Sequence, residues 1–513
     1  MSRVANGAAK PIVRVPATGY SSGAVLRLPL GVAERRALLL LGDALMLTIS
    51  AVASSATWAW LQQHTPVTFR LLQEQRYSLA AFGAAWLVLL ATTGCYDVPF
   101  ATYARGVTRR LLAAALALVT VYALIFFAFS RPPALLHRIS PALGGLPLLR
   151  AQPILYIVFA LITEMAWRTG YSGIVRGARF QRRALIVGAG WAGRTIVDVL
   201  VGYGDGSYHV LGFVDDDVNK QGAIISWWRQ KDASHPLPVL GDRHSLRELI
   251  TQLGVSTLIL AITRELNGEL LPVLLDCLEL GVDIVPMPVL YEELTSRVPV
   301  EHVGGNWEVA MPIQHPGTGA LWPMIKRLID LAFGAVGVIL TGTLFPFVAL
   351  AIYLESPGPV LYHQKRVGRG GRLFTLHKFR SMTPDAEQDG PRWATARDPR
   401  VTRVGRFLRR THLDELPQFY NILRGEMSLV GPRPERPEFV AGLADEIPFF
   451  RIRHAVRPGL TGWAQVQQGY GASQEDALLK LQYDLFYIKH QSLWLDIVIL
   501  LKTAAAVLRL QGR

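Results

Sequence analysis

The chain has 513 residues, half of them hydrophobic, with a formal net charge of +14. That length accommodates two to four domains, and a mean hydropathy of +0.26 is high for a soluble protein. Two widely separated cysteines, Cys95 and Cys277, exclude a disulfide framework or cysteine metal site, and on so apolar a chain the basic excess marks cytoplasmic loops and anionic lipid rather than nucleic acid.

Residues 1–34 are rich in Gly, Ala, Ser and Pro with scattered Arg, lack a signal-peptide cleavage pattern, and read as a disordered cytoplasmic tail. Four apolar runs follow, Ala37 to Leu61, Tyr77 to Cys95, Leu111 to Ser130 and Pro153 to Trp167. They predict a four-helix transmembrane bundle over 35–175; the last run is short and carries Glu164. Arginines crowd the first flank (Arg35, Arg36), the second connection (Arg105, Arg109, Arg110) and the exit (Arg176, Arg179, Arg182, Arg183). Fewer basic residues mark the other connections, so both ends of the bundle are expected in the cytoplasm.

A Rossmann-like α/β domain is expected over 180–312. Arg183 to Val187 reads as a buried strand, and Gly188-Ala189-Gly190-Trp191-Ala192-Gly193 opens a helix. A second strand ends in Asp215, and Val255 to Ala261 and Val282 to Val285 read as further parallel strands. Gly188, Gly190 and Gly193 can seat a pyrophosphate on a helix N-terminus, with Asp215 on a ribose hydroxyl. The alternative is a structural or regulatory domain that keeps the fold without that use. Redox chemistry of the short-chain type would bring a Tyr-x-x-x-Lys pair, and none follows Gly188.

The remainder, 320–513, is basic and rich in Gly, Pro and Arg. Its apolar segment, 326–354, contains Asp330, three glycines and Pro346. Lys326 and Arg327 precede the apolar core, and Lys365, Arg366, Arg369 and Arg372 follow it. Both flanks look cytoplasmic, and proline removes a backbone donor and bends a helix. A re-entrant helix satisfies both observations; an ordinary fifth span is the alternative.

Asp414-Glu415 then lies between Lys378-Phe379-Arg380-Ser381-Met382 and Gly431-Pro432-Arg433-Pro434-Glu435. An acidic pair can supply a nucleophile and hold a divalent cation, and the cations can neutralise a diphosphate. With Gly358-Pro359-Val360-Leu361-Tyr362, Gln364, Arg366, Leu416-Pro417-Gln418 and Gly462-Trp463-Ala464-Gln465, these segments resemble the bacterial polyprenol-phosphate hexose-1-phosphate transferases, large monotopic enzymes that initiate exopolysaccharide or O-antigen synthesis. The resemblance covers essentially the whole chain.

The resemblance implies a small α-helical catalytic domain at the membrane surface, carried by the re-entrant helix. It implies attack by Asp414 on the β-phosphate of a UDP-sugar, the sugar a hexose such as glucose or galactose, with release of UMP. Undecaprenyl phosphate then takes the sugar phosphate from the aspartyl intermediate. Glu415 would bind Mg²⁺ with Asp414 or help activate the lipid phosphate. Lys378, Arg380, Arg433, Glu435, Trp463 and Gln465 form the implied substrate- and phosphate-binding set. The implied setting is the bacterial inner membrane, multi-pass, with the catalytic domain on the cytoplasmic face, as a homodimer that hands its product to downstream glycosyltransferases. Two other readings stay open at this point: a membrane-tethered nucleotide-sugar dehydratase or epimerase, and a non-catalytic scaffold or transporter component built on the four helices.

Overall fold

A computed structural model describes residues 32–63, 69–93, 95–96, 104–129, 152–176, 181–203, 206–225, 236–262, 269–300, 321–386, 388, 398–468 and 473–508. The expected tail over 1–34 lies almost wholly outside them, as do residues 301–312 of the expected middle domain. The chain forms two compact units, Met1–Thr295 and Ser296–Arg513.

The first unit begins with four helices, α1 (Val32–Gln63), α2 (Phe69–Thr92), α3 (Ala104–Phe129) and α4 (Gln152–Arg176). Within it, Ala37–Leu61 is long and apolar enough to cross a membrane. The α1–α4 contact is built from polar and small groups. Arg168 Nη2 lies 2.5 Å from Asp43 Oδ2, and Ser50 Oγ lies 2.9 Å from Thr163 Oγ1. A side chain at Gly42 would overlap the Trp167 ring. In apolar surroundings such contacts join helices whose outer faces are largely hydrocarbon, as at exposed Leu41, Leu45 and Ile162.

The α/β part alternates strands and helices: β1 (Arg182–Val187), α5 (Trp191–Tyr203), β2 (Tyr208–Val214), β3 (Ile224–Ile225), β4 (Leu237–Gly241), α6 (Leu246–Leu253), β5 (Thr257–Leu260), α7 (Leu270–Glu279), β6 (Asp283–Pro286) and α8 (Met287–Thr295). The sheet order is β3-β4-β2-β1-β5-β6, parallel except for edge strand β3. Successive β1 side chains therefore enter two cores. Ile186 packs with Ile196 and Leu290 of α5 and α8, and Leu185 with Leu249 and Leu274 of α6 and α7. The chain reverses direction across the sheet beside β1, which puts the glycine loop at the switch point between β1 and β5.

The second unit begins, among its described elements, with α9 (Leu321–Glu355), followed by the antiparallel pair β7 (Leu361–Val367) and β8 (Leu373–Phe379). Then come α10 (Arg403–Arg410), a 3₁₀ turn over Leu413–Glu415, α11 (Gln418–Arg424), β9 (Ser428–Val430) and α12 (Pro437–Glu446). A 3₁₀ segment over Phe450–Ala455, β10 (Gly459–Thr461), α13 (Trp463–Gln467), α14 (Gln474–Lys489) and α15 (Leu493–Leu508) complete it. The expected α-helical domain is mostly helical and also carries two two-stranded sheets among its helices. Each aligns a loop of the site: β8 carries Lys378, and β9 leads into Gly431.

Helix α9 is continuous through Pro346, and Trp322–Glu355 is long and apolar enough to cross a membrane. Its charged residues, Lys326, Arg327, Asp330 and Glu355, all bond to groups of its own domain. Lys326 Nζ donates to Tyr487 Oη at 3.0 Å and pairs with Asp496 at 2.5 Å. Arg327 donates to the carbonyls of Ile422 and Leu423 at 2.7 and 2.8 Å, closing the end of α11. Asp330 accepts from Ser428 Oγ and Leu429 N, both at 2.9 Å. Gly334 and Gly337 are small because α11 lies on them: a Cβ at Gly337 would stand 2.2 Å from the Phe419 ring. At the far end, Ile352 packs with Phe379 and Leu408, and Glu355 accepts from the N–H groups of Arg403 and Val404 at the start of α10. The other flank of α9 is exposed and apolar, with Ile339, Phe347, Leu350 and Leu354 standing out.

Candidate active site

The acidic pair sits on a short turn that neighbouring elements hold from several sides. Thr402 caps α10 by accepting from Gly405 N–H at 2.9 Å. His412, in the left-handed region at φ 59°, reverses the chain into the turn. Leu413 and Leu416 pack on the Ile352–Phe379–Leu408 cluster, and Thr341 of α9 donates to the Leu416 carbonyl at 3.1 Å. The turn is therefore mounted on the middle of the apolar helix.

Glu415 Oε1 accepts from Lys378 Nζ at 2.9 Å and from Arg433 Nη2 at 2.7 Å. Burial alone would push its carboxyl up, but Arg433 and Lys378 hold it well below the usual carboxylate range. Lys378 is pulled down by burial, an effect that Glu415 opposes. Asp414 is buried at 7% exposure. Among the described residues its carboxylate makes no hydrogen bond or ion pair. Burial raises its pKa, and Lys378, Arg409 and Arg433 work against that rise through space. The two acids have thus separated in character. Glu415 is a fixed anion neutralised by two cations, and Asp414 is a desolvated carboxylate with no fixed partner.

The Gly431–Glu435 loop that delivers Arg433 is pinned by its own carbonyls. Arg453 donates to the Arg433 carbonyl at 3.1 Å, and Arg366 to the Pro434 carbonyl at 2.8 Å. Gly459 N–H donates to the Pro432 carbonyl at 2.9 Å. Gly431 and Gly459 permit that approach: a Cβ on Gly459 would lie 2.1 Å from Gly431 N. Arg453 is in turn paired at 2.8 Å with buried Asp484, whose carboxyl burial pushes up to about 6 against the pull of Arg453. Arg453, Asp484 and Arg409 escaped the sequence reading because each stands outside the quoted motifs.

Four expected members of the site are placed otherwise. Arg380 donates to the Ser356 carbonyl, and its guanidinium fills the space beside Gly358, where φ is +134°; it braces the turn leaving α9. Glu435 faces Arg366 and Arg453, each at 3.9 Å, and lines a small cleft with Arg433, Arg453 and His454. Trp463 is buried, donates to the Ser296 carbonyl at 3.1 Å and stacks on Phe486. Gln465 donates to the Leu460 carbonyl at 3.4 Å, leaving its buried Oε1 without a hydrogen-bond partner. No contact among the described residues joins these four to Asp414 or Glu415.

A family model described as bacterial sugar transferase matches residues 321–510, the segment that builds this site. A Caulobacter vibrioides UDP-glucose:undecaprenyl-phosphate glucose-1-phosphate transferase is 44% identical over 187 residues, 36% of this chain and 69% of that protein. The chain belongs to the bacterial sugar transferase family. An Aeromonas hydrophila UDP-N-acetylgalactosamine-undecaprenyl-phosphate N-acetylgalactosaminephosphotransferase is 43% identical over 48% of this chain and 56% of its own length. A Komagataeibacter xylinus undecaprenyl-phosphate glucose phosphotransferase is 41% identical over 43% of this chain and 42% of its own. The chain thus spans about half the length of these two relatives.

The donor set suits Mg²⁺ better than a metal needing a closed protein cage. Among the described residues no group of three or more His, Cys, Asp or Glu side chains converges. Mg²⁺ is commonly held by one or two carboxylates together with substrate phosphate oxygens. Asp414 offers an oxygen without a fixed partner, and Glu415 has only Oε1 committed to its cations.

The glycine loop of the first unit divides by role. Gly188 has φ +108°, and a Cβ on Gly193 would lie 2.1 Å from the Gly188 carbonyl oxygen, so the fold itself requires both. A Cβ on Gly190 would meet nothing. Asp215 accepts from Ala189 N–H at 2.8 Å and from Lys220 at 3.1 Å, so its carboxylate already ties the loop to β2.

Proposed function

We propose that the chain moves a sugar 1-phosphate from a UDP-hexose to undecaprenyl phosphate, releasing UMP, and so initiates an exopolysaccharide or O-antigen repeat unit. The observation that carries this reading is the division of labour at Asp414-Glu415. A nucleophile needs a lone pair uncommitted to hydrogen bonds, and Asp414 has it. A transferring phosphoryl group needs fixed positive charge, and Lys378 and Arg433 are fixed by Glu415.

An Asp414 oxygen attacks the β-phosphorus of the donor. The bond from that phosphorus to the bridging oxygen breaks, and UMP leaves with that oxygen. An oxygen of undecaprenyl phosphate then attacks the same phosphorus, the bond to Asp414 breaks, and the carboxylate is restored. Lys378 and Arg433 face the charge on the phosphoryl oxygens, while Glu415 keeps both aimed. Asp414 and Glu415 would hold Mg²⁺, which would offset repulsion between carboxylate and diphosphate.

The same reading places the protein in the bacterial inner membrane, multi-pass through its N-terminal helices, with the catalytic unit on the cytoplasmic face, as a homodimer serving downstream glycosyltransferases. Support for a single-faced α9 comes from its two ends. Lys326, Arg327 and Asp330 at one end and Ile352 and Glu355 at the other all contact the same domain. A straight helix of 35 residues measures about 52 Å, well beyond the ~30 Å hydrocarbon core. A domain lying in water on one side touches both ends most simply if the helix enters and returns. The α/β part is read as structural or regulatory, with Gly190 the one glycine left open to a nucleotide.

The experiment is UMP release from a panel of UDP-sugars by the purified protein with undecaprenyl phosphate and Mg²⁺. One preferred UDP-hexose, with UMP formed in step with lipid-linked sugar, is expected. Release of UDP rather than UMP would refute the reading.

A further inference from the structure

The β7–β8 pair carries two side chains that sugar-phosphate transfer leaves unused. His363 and His377 are direct cross-strand partners. Their Nδ1 atoms lie 2.8 Å apart, with ring planes at 85° and centroids at 4.9 Å. His363 is exposed and His377 half-buried, so the space beside the pair opens to solvent.

The backbone beneath them is held in place. His377 N–H donates to Asn421 Oδ1 at 3.2 Å, and fully buried Asn421 donates through Nδ2 to the Thr375 carbonyl and to Glu426, both at 2.7 Å. The Tyr420 ring packs edge-on against His377 with centroids 5.6 Å apart. The two imidazoles are therefore set by the strand register and by α11, and need little ordering to present both nitrogens to one guest.

We propose that His363 and His377 form a two-imidazole site for a divalent late transition metal ion, with Cu(II) bound most tightly. As neutral rings, one Nδ1–H donates to the other Nδ1, so a single proton occupies the space between two ligand atoms. A metal ion replacing it takes both lone pairs, and that proton passes to solvent. With metal–nitrogen bonds of about 2.0–2.1 Å, a 2.8 Å separation subtends about 85–90° at the ion. That is the angle between adjacent ligands of a square-planar or octahedral ion. A tetrahedral ion would spread the nitrogens to about 3.3–3.4 Å at the same bond length. The geometry thus favours Cu(II) and Ni(II) over Zn(II), and the general order of affinities puts Cu(II) first. Water completes the coordination from the exposed side.

Neighbouring residues of a strand point to opposite faces, so the ion lies across the β7–β8 pair from Lys378. The expected consequence is a stiffened pair of strands rather than a change at Glu415.

The test is a Cu(II) titration of the purified full-length chain followed by electron paramagnetic resonance. One equivalent should bind with hyperfine splitting from two equatorial imidazole nitrogens, and Zn(II) should displace it poorly. In His363→Gln and in His377→Gln the dissociation constant should rise at least about tenfold, with at most one nitrogen left in the spectrum. His363 is an exposed side chain, so His363→Gln decides the matter even if His377→Gln folds poorly. A wild-type spectrum without the two-nitrogen signature would overturn the proposal. So would an unchanged affinity in the double variant, which would make the pair a hydrogen bond only.

Discussion

Arg433 Nη2 lies 2.7 Å from Glu415 Oε1, while Glu435, two residues from Arg433, faces Arg366 and Arg453 instead. The pairing links the Gly431–Glu435 loop to the acidic turn and fixes the Arg433 guanidinium beside it. It also explains the two adjacent acids. With Glu415 absorbing Lys378 and Arg433, Asp414 stays clear of fixed partners.

Replacing Glu415 with Gln leaves Lys378 and Arg433 facing each other without their shared anion. Breaking a buried pair by removing one partner costs about 3–5 kcal/mol, and partial exposure of both cations brings the expectation toward the lower figure. The variant should lose most turnover and unfold at a lower temperature in detergent. Glu415→Asp should recover more stability than activity. Thermal unfolding and UMP release on the same preparations check both.

The acid side of the rate–pH profile should belong to Asp414. Its pKa is raised by burial above the ordinary aspartate range, and the nucleophile works only as a carboxylate. Activity should therefore fall with decreasing pH through a midpoint above 3.8, the ordinary value for this side chain. Glu415 is held well below its ordinary range, so it stays charged throughout that fall. Adding a positive charge nearby, as in Leu413→Lys, should move the midpoint down; a midpoint that did not move would argue against Asp414 as the titrating group.

Arg453 acts through the loop rather than on substrate, so Arg453→Lys should separate kcat from KM. A lysine cannot both pair with Asp484 and reach the Arg433 carbonyl with a fork of donors. kcat should drop about tenfold or more, as for small misplacements of a catalytic group, while KM for the donor changes little. Asp484 adds a pH signature. Its folded carboxyl is raised to about 6, above the unfolded value, so the stability contributed by its proton is present at low pH and lost as pH rises through 6. Asp484→Asn should flatten that dependence in thermal unfolding.

The four N-terminal helices and the apolar α9 were legible as helices from hydropathy, because apolar runs of that length seldom form anything else. The β1–glycine–α5 unit was legible too, since Gly188 and Gly193 satisfy backbone geometry that other residues cannot adopt. The acidic pair stood out only through its flanking motifs, and the roles within those motifs were not readable. Arg380 and Arg433 look alike in sequence, yet Arg380 fills the space over Gly358 and Arg433 reaches Glu415. The resemblance put Trp463 in the substrate-binding set, and the structure has it buried and bonded to the Ser296 carbonyl. Such choices depend on contacts between segments far apart in the chain, as does the Arg453–Asp484 pair.

The single-faced arrangement proposed for α9 predicts its labelling. Met324 is 62% exposed near one end of the helix, and Arg372 is exposed in the turn between β7 and β8. With Cys95 and Cys277 replaced, cysteines at these two positions should both react with an impermeant thiol reagent in inverted vesicles. Neither should react from outside intact spheroplasts. Pro346→Leu restores a backbone donor and should straighten the helix, with loss of activity despite an unchanged acidic pair.

The most direct test is to look for the covalent intermediate. The purified protein is incubated with its preferred UDP-sugar and Mg²⁺ but no undecaprenyl phosphate, quenched, digested and examined by mass spectrometry. The expected result is a sugar-phosphate adduct on Asp414, one equivalent of UMP per active site, and discharge of the adduct when undecaprenyl phosphate is added. Asp414→Asn should show neither adduct nor UMP. An adduct on another residue, or lipid-linked sugar formed at normal rates by Asp414→Asn, would contradict the account.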